Sequence, residues 1–152
     1  MLGVWNLMMQ QPSITSTQDP HDELVFYTLA HPSPSFIHQH VVDADAVQRA
    51  DENAKPIGIV FGLIGLYLHV EKNFTGRQVQ KAHMQLGRRR KQWFRPELPE
   101  NRGAIFIADV LAAAPGPQRD AMIHNWCVSV WEACKAVRPH IAELAKNELG
   151  IG

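Results

Sequence analysis

Three histidines on three consecutive predicted helices are the side chains with the clearest chemical potential in this sequence. His40, His69 and His83 each fall on the inward face of their helix. Neutral imidazoles are common ligands of Zn²⁺, Ni²⁺ and Fe²⁺, and three of them leave a coordination position open for water. Metal-bound water is acidic enough to attack a substrate near neutral pH. The sequence therefore predicts a metal site formed by His40, His69 and His83.

Two carboxylates are candidates for catalytic roles at that site. Asp43 follows His40 by about one helical turn, so it is predicted to be a fourth ligand or to orient an imidazole. Glu71 follows His69 closely and is predicted to act as a base. His140 is a candidate replacement for any of the three histidines. The competing interpretation is that these histidines are hydrogen-bonded core residues that bind no metal. The absence of an H-E-x-x-H or E-x-x-H motif from the sequence supports it.

The H-Q-H tripeptide at 38–40 looks like a chelating pair, but helical geometry separates its two imidazoles. A helix advances about 100° per residue, which places His38 roughly 160° from His40 in projection. His40 lies within the apolar stripe of its helix. That stripe consists of Ile37, Val41, Ala44 and Val47. His38 is predicted to point to the other side, toward Asp45 and Arg49.

Glycines in the next helix predict a close helix–helix contact that ends at His69. Gly58, Gly62 and Gly65 share one face of this helix, and His69 is the next residue on the same line. Glycine inside a helix costs about 1 kcal/mol relative to alanine, so three in line indicate close approach by a neighbouring helix. His83 lies on the apolar stripe of the following helix, across a short turn. We therefore expect His69 and His83 to be neighbours.

Proline and capping signals predict an all-α fold, an antiparallel bundle of about five or six helices. Three prolines follow a capping residue at a predicted first helical position, namely Pro20, Pro34 and Pro117. Thr75 and Gln78 form a predicted capping box. The predicted helices cover residues 20–30, 34–50, 56–72, 76–87, 105–114 and 117–149. Pro139 is expected to kink the long C-terminal helix or to divide it in two.

Length and composition suit one soluble helical domain. The 152 residues are 45% hydrophobic and 20% charged, as in globular proteins. Residues 1–18 lack periodicity and are predicted to be a flexible arm before a single domain at 19–152. The apolar run 57–68 is too short to span a membrane, and no signal peptide is apparent. Cys127 and Cys134 are about 10 Å apart on one helix, so both are predicted to be reduced, which favours a cytoplasmic location.

Basic charge is concentrated in residues 88–95, RRRKQWFR. Consecutive cations followed by Trp93 and Phe94 also occur in nucleic-acid-binding segments. However, the pI of 7.1 argues against a dedicated nucleic-acid binder, and cations also stabilise a helix C-terminus. The segment is predicted to be a solvated helix end or linker. No membrane contact is predicted. The sequence is compatible with a homo-oligomer and with a small-molecule substrate that it does not identify.

Four motifs in fixed order resemble a known family. They are HPSPSFIHQHVVDADAVQ, GLYLHVEKNFTGRQVQKAHMQLG, ADVLAA and WCVSVWEA, within a resemblance that covers about residues 21–146. They are similar to an uncharacterised bacterial family known as a domain of unknown function, which implies a helical domain and no particular reaction. Members tend to carry an aromatic residue where Asp45 stands, and some have an N-terminal cysteine pair that this chain lacks. A looser analogy relates inward histidines in a helical bundle to DinB-like metal-dependent proteins.

Two functions from different classes follow from these patterns. The first is hydrolysis or group transfer through water bound to a divalent metal. The second is a non-catalytic interaction or oligomerisation domain whose histidines are structural. In that case the basic segment 88–95, or the last predicted helix with Trp126 and Trp131, would contact a protein partner.

Overall fold

The chain forms seven α-helices over the part that the structure describes. In the computed structural model this part comprises residues 19–31, 33, 35–89 and 91–152, so the predicted arm at 1–18 lies outside it. The helices are α1 (Pro20–Ala30), α2 (His38–Gln48), α3 (Pro56–Lys72), α4 (Gly76–Gly87), α5 (Ile107–Ala112), α6 (Pro117–Ala133) and α7 (Arg138–Leu149). These ranges contain no strand, which confirms the all-α class. None of the described helices has the length and apolar character needed to cross a membrane.

Capping residues begin two helices as predicted. The Asp19 side chain accepts a hydrogen bond from the backbone N–H of His21 at 3.0 Å, and Pro20 opens α1. Before α4, Thr75 Oγ1 accepts from the Gln78 backbone N–H at 3.2 Å, while the Thr75 N–H donates to Gln78 Oε1 at 2.8 Å. This reciprocal pair satisfies two N–H groups that the first turn of a helix leaves free.

The second helix begins later than the sequence pattern indicates. Residue 34, the predicted start, lies outside the described residues, and α2 begins at His38. The reason is Phe36, whose φ of 56° lies in the left-handed region and interrupts a right-handed helix. Its carbonyl group occupies the place where a side chain at Gly76 would begin. A contact with the start of α4 therefore accompanies the later start of α2.

The predicted C-terminal helix is two helices, α6 and α7. Residues 134–137 form a turn between them, and Pro139 lies in the first turn of α7, where its missing N–H breaks no helical hydrogen bond. Division was one of the two outcomes expected of this proline. The predicted apolar stripe remains buried across both helices, at Ile123, Trp126, Cys127, Val130, Cys134, Val137, Ile141 and Leu144. Both cysteines are free thiols, as expected.

Antiparallel packing of α2 against α3 brings His40 next to His69. The facing pairs are Val47 with Gly62, Asp43 with Gly65, and His40 with His69. A Cβ added at the first of these glycines would lie 2.9 Å from a Val47 methyl carbon, and one added at the second would overlap the Asp43 carboxylate. The predicted close approach is confirmed at these two glycines. Gly58 differs, because nothing lies within 4 Å of a Cβ added there.

Four cations in the described part of the segment between α4 and α5 are bound within the chain, namely Arg89, Lys91, Arg95 and Arg102. The Arg102 guanidinium donates to the carbonyls of Val47 and Gln48 at the end of α2 and to that of Ala50 just after it. Arg95 donates to the carbonyls of Asp51 and Ala54. Arg89 and Lys91 both contact the carboxylate of Glu148 on α7. Cations that satisfy helix-end carbonyls and a carboxylate are typical of a connecting segment, which favours the linker interpretation.

Candidate functional site

The imidazoles of His40 and His69 lie face to face at the end of the α2–α3 contact. Their ring centroids are 3.6 Å apart, and the ring planes are inclined by 22°. His40 is only 5% exposed, and its Nδ1 is buried without a hydrogen-bond partner. The predictions that His40 points inward and that the glycine line of α3 ends at an imidazole contact are therefore confirmed.

His124 of α6 is the third histidine at this place, and no pattern in the sequence predicted a role for it. Its Nδ1 lies 3.1 Å from His69 Nε2, and the two rings meet edge to face. Helical phase puts His124 beside the apolar stripe of α6, on a face shared with Val128 and Trp131. Phase alone does not tell which helix covers that face, whereas the fold packs α6 against both α2 and α3. We call His40, His69 and His124 the histidine cluster.

Hydrogen bonding determines which nitrogen of His69 carries its proton. Nδ1 lies 3.3 Å from the carbonyl oxygen of Phe74, which can only accept, so Nδ1 bears the hydrogen. In the neutral ring, Nε2 then presents a lone pair toward His124, whose Nδ1–H donates to it. A histidine that donates one N–H to a backbone carbonyl and presents its other nitrogen has the arrangement common among metal ligands.

His83, the third predicted ligand, has contacts of its own. Its Nε2 donates to the Phe61 carbonyl oxygen at 2.7 Å, so its Nδ1 is an acceptor, 3.4 Å from the Gln39 amide nitrogen. Its ring also stacks on Phe61 at a centroid distance of 5.2 Å. Both ring nitrogens are thus engaged. The structure brings together only His40 and His69 of the predicted set, and metal binding by His83 stays a prediction.

Asp43 is a buried carboxyl group beside the cluster, held on one side only. Its Oδ1 accepts from the Gln39 amide at 3.0 Å, whereas its Oδ2 faces Gly65 and has no partner. Burial raises the pKa of Asp43 well above the ordinary value, and the Gln39 hydrogen bond offsets only part of that rise. Burial therefore favours the neutral form of this carboxyl group, and a role for Asp43 as a fourth ligand stays a prediction.

Glu71 and His140 lie in contacts separate from the histidine cluster. The Glu71 carboxylate accepts from the indole N–H of Trp131 at 2.6 Å. His140 stacks on Phe94, with ring centroids 4.0 Å apart. A catalytic role for Glu71 and a ligand role for His140 therefore stay predictions. Trp131 is 1% exposed and Trp126 is fully buried, so both rings belong to the core, and a partner contact through their helix stays a prediction.

His38 confirms that the two imidazoles of H-Q-H point to different sides. Its Nδ1 lies 2.9 Å from the Thr28 hydroxyl of α1, whereas His40 stacks against α3. On the His38 side of α2, the Asp45 carboxylate contacts the Arg49 guanidinium at 2.9 Å and His21 Nδ1 at 3.0 Å. Both rings of H-Q-H thus have neighbours, but they share none.

Burial favours the neutral form of the inward imidazoles. It lowers the pKa of His40 to about 3, with His69 and His124 adding to the effect. Burial also lowers the pKa of His69 and of His83, although the carbonyls of Phe74 and Phe61 partly oppose this. A neutral imidazole is the form that can bind a metal ion. The same rings are poor proton acceptors in the folded state.

We expect acid to destabilise the fold through these histidines. Their folded pKa values lie below the unfolded value of about 6.5, so unfolding takes up protons. The stability they confer is fully present above about pH 6.5 and is lost as the pH falls toward their folded pKa values. Asp43 has the opposite effect. Its pKa is raised in the folded state, so unfolding releases up to one proton from its carboxyl group. Below about pH 6 the three unfolded histidines together take up more than the one proton that Asp43 holds in the folded state, so the free energy of unfolding should decrease from about pH 6 toward pH 5.

Urea unfolding of chelator-treated protein at several pH values measures this effect. His40→Leu should reduce the pH slope by up to one proton. The wild-type free energy of unfolding should rise with pH between about pH 5 and pH 6, where the three unfolded histidines together bind more than one proton. A free energy of unfolding that is flat or rises toward pH 5 would contradict the neutral state of these rings.

A cavity of about 230 Å³ lies beside His40 and His69. Its other lining residues are Ser35, Ile37, Asn73, Phe74 and Thr75, so no charged side chain is among them. Over the described ranges, no group of three or more His, Cys, Asp and Glu side chains is already arranged to hold a metal ion. In the histidine cluster, one nitrogen of His69 and one of His124 approach each other, and the ring of His40 is stacked on His69.

These observations define the class of protein as a helical bundle with a partly buried histidine cluster between α2, α3 and α6. The chain belongs to the Family of unknown function (DUF5946), which it matches over residues 15–135. All three histidines of the cluster lie within that range, and the match confirms the resemblance to a family of unknown function. No curated protein and no solved structure matches the chain. The comparison with DinB-like proteins stays an analogy of fold.

Proposed function

We propose that this chain binds one divalent transition metal ion, Zn²⁺, Ni²⁺ or Fe²⁺, through the histidine cluster. The observation that carries the proposal is the 3.1 Å separation of His69 Nε2 and His124 Nδ1. Two nitrogens that each lie about 2.0–2.1 Å from a tetrahedral metal are roughly 3.3 Å apart. A metal ion would therefore replace the hydrogen shared by these two rings with little movement of either.

His40 is the third ligand in this proposal. Its ring is stacked on His69, so it must turn about its side-chain torsions before one of its nitrogens joins the other two. No hydrogen bond retains its Nδ1 in the stacked position, and a buried polar atom without a partner costs about 1–3 kcal/mol. The stacked arrangement is thus one that a metal ion can displace.

The chemistry that follows from the proposal is hydrolysis or group transfer. Three imidazoles leave a coordination position for water, and a metal-bound water is a nucleophile near neutral pH. The cavity beside His40 and His69 supplies space for a small molecule, and its lining lacks charged side chains. An uncharged small substrate is the class that this space suits best.

Calorimetric titration of chelator-treated, untagged protein with Zn²⁺ or Ni²⁺ tests the proposal. We expect one ion bound per chain. A free metal concentration about 100-fold above Kd should raise the free energy of unfolding by about 2.7 kcal/mol. For a chain of this size that corresponds to a rise in Tm of roughly 5–10 °C. Absence of stoichiometric binding, together with an unchanged Tm, would rule out the metal site.

A further inference from the structure

Two buried polar atoms without partners lie on the same helix, close to the histidine cluster. They are His40 Nδ1 and Asp43 Oδ2. Two other atoms, His21 Nδ1 and Asp45 Oδ1, also lack a well-aligned hydrogen bond among the described residues, but each has an oppositely charged or titratable group within 3.0 Å. The first pair has no such compensation. Two unsatisfied atoms in one place indicate a function, because each costs about 1–3 kcal/mol.

The helix places the side chains that carry these two atoms on the same face. Residues three apart on an α-helix lie on one face, about one turn from each other. Both side chains face α3, where His40 meets His69 and Asp43 meets Gly65. The imidazole and the carboxyl group are therefore neighbours along a single packed seam.

The surroundings hold the Asp43 carboxyl group in a defined position. Gln39 donates to Oδ1, which leaves Oδ2 as the free oxygen. Gly65 makes room for that oxygen, since a Cβ at this position would overlap it. A carboxyl oxygen keeps acceptor capacity in either protonation state. The carboxyl group is thus positioned to accept one more hydrogen bond from a donor nearby.

We infer that Asp43 is the positioning residue for His40, accepting a hydrogen bond from His40 Nδ1–H when His40 binds the metal through Nε2. This inference rests on the proposed function. The hydrogen bond gives both unsatisfied atoms a partner and directs Nε2 away from the carboxyl group. Metal-ligating histidines commonly donate their second N–H to a carboxylate. Mutation of such a partner typically lowers the metal affinity by about 10–100-fold.

A graded series of substitutions at Asp43 tests the inference. Asparagine keeps an acceptor oxygen of the same reach, whereas leucine has a similar volume and no acceptor. Competition of the protein with a chromophoric chelator for Zn²⁺ should give a small loss of affinity for Asp43→Asn and a loss of about 10–100-fold for Asp43→Leu. Asp45→Asn is the matched control, since this buried carboxylate of the same helix pairs with Arg49 and His21. Its affinity should equal that of the wild type.

The metal-free stability of the same variants separates positioning from a structural role. Asp43→Leu removes an unsatisfied buried oxygen but also the acceptor of the Gln39 hydrogen bond, two effects of opposite sign, so its metal-free Tm should stay close to that of the wild type while its affinity falls. Equal affinities in all variants, or an affinity loss that only follows a loss of metal-free stability, would overturn the inference. Where the leucine variant does not fold, the affinity of Asp43→Asn and the nitrogen NMR resonances of His40 in the metal-loaded protein test the inference instead. We expect His40 Nδ1 to be protonated and Nε2 to be metal-bound. The reverse assignment would overturn the inference. A wild type that binds no metal refutes the proposed function itself.

Discussion

Replacing His124 with alanine is expected to weaken Zn²⁺ or Ni²⁺ binding by about 100-fold or more, which corresponds to roughly 2.7 kcal/mol of binding free energy. The reason is that His124 supplies one of the two nitrogens that already lie 3.1 Å apart. His83→Ala should leave the affinity within about threefold, a difference of less than 1 kcal/mol. Both His83 nitrogens are engaged elsewhere, with Phe61 and Gln39. Competition with a chromophoric chelator at fixed pH measures both variants.

Two further variants keep this comparison interpretable. His83→Ala removes a hydrogen bond to the Phe61 carbonyl and should cost about 0.5–1.5 kcal/mol of stability, so His83→Gln serves as a milder replacement. His140→Ala is the control for loss of a histidine in general, because His140 stacks on Phe94 outside the cluster. If His83 variants lost the metal and His124→Ala retained it, the set predicted from the sequence would be right and the cluster seen in the structure wrong.

The difference between His83 and His124 shows what helical phase can predict. The phase of α2 and the glycines of α3 correctly indicated that His40 and His69 point to the same seam, because each signal depends only on residues of its own helix. Phase also places His83 inward, where it indeed bonds to the Phe61 carbonyl. However, an inward direction does not specify which neighbour is met. That depends on how α4 and α6 are arranged around α3, which no local pattern in the sequence records.

Helix boundaries were predictable where contacts between residues close in the sequence determine them, and not where a tertiary contact does. Asp19, Thr75 and Pro139 mark helix boundaries through contacts within a few residues, and the structure places boundaries at each. The start of α2 was not predictable in this way. Phe36 has its left-handed conformation where its carbonyl contacts Gly76, forty residues further along the chain. A boundary that depends on a tertiary contact leaves no capping signal of its own.

That contact gives the second large expected effect, a loss of stability in Gly76→Ala. A Cβ at this position would overlap the Phe36 carbonyl and would lie 2.8 Å from the Ser35 carbonyl oxygen. These are backbone atoms, so no side-chain rotation relieves the overlap. The segment before α2 must move away from α4, and overpacking of this kind costs about 1–3 kcal/mol, occasionally more. Urea unfolding at neutral pH in the presence of a chelator measures the change.

Gly87→Ala in the same helix is the matched control. No atom lies within 4 Å of a Cβ added at Gly87, and its backbone is not in the left-handed region. Alanine there should raise the free energy of unfolding by about 0.5–1 kcal/mol, because glycine loses more conformational freedom on folding. The two substitutions thus make the same chemical change in one helix with opposite expected signs. Equal effects would mean that Gly76 does not contact the Phe36 segment, and the late start of α2 would then need another cause.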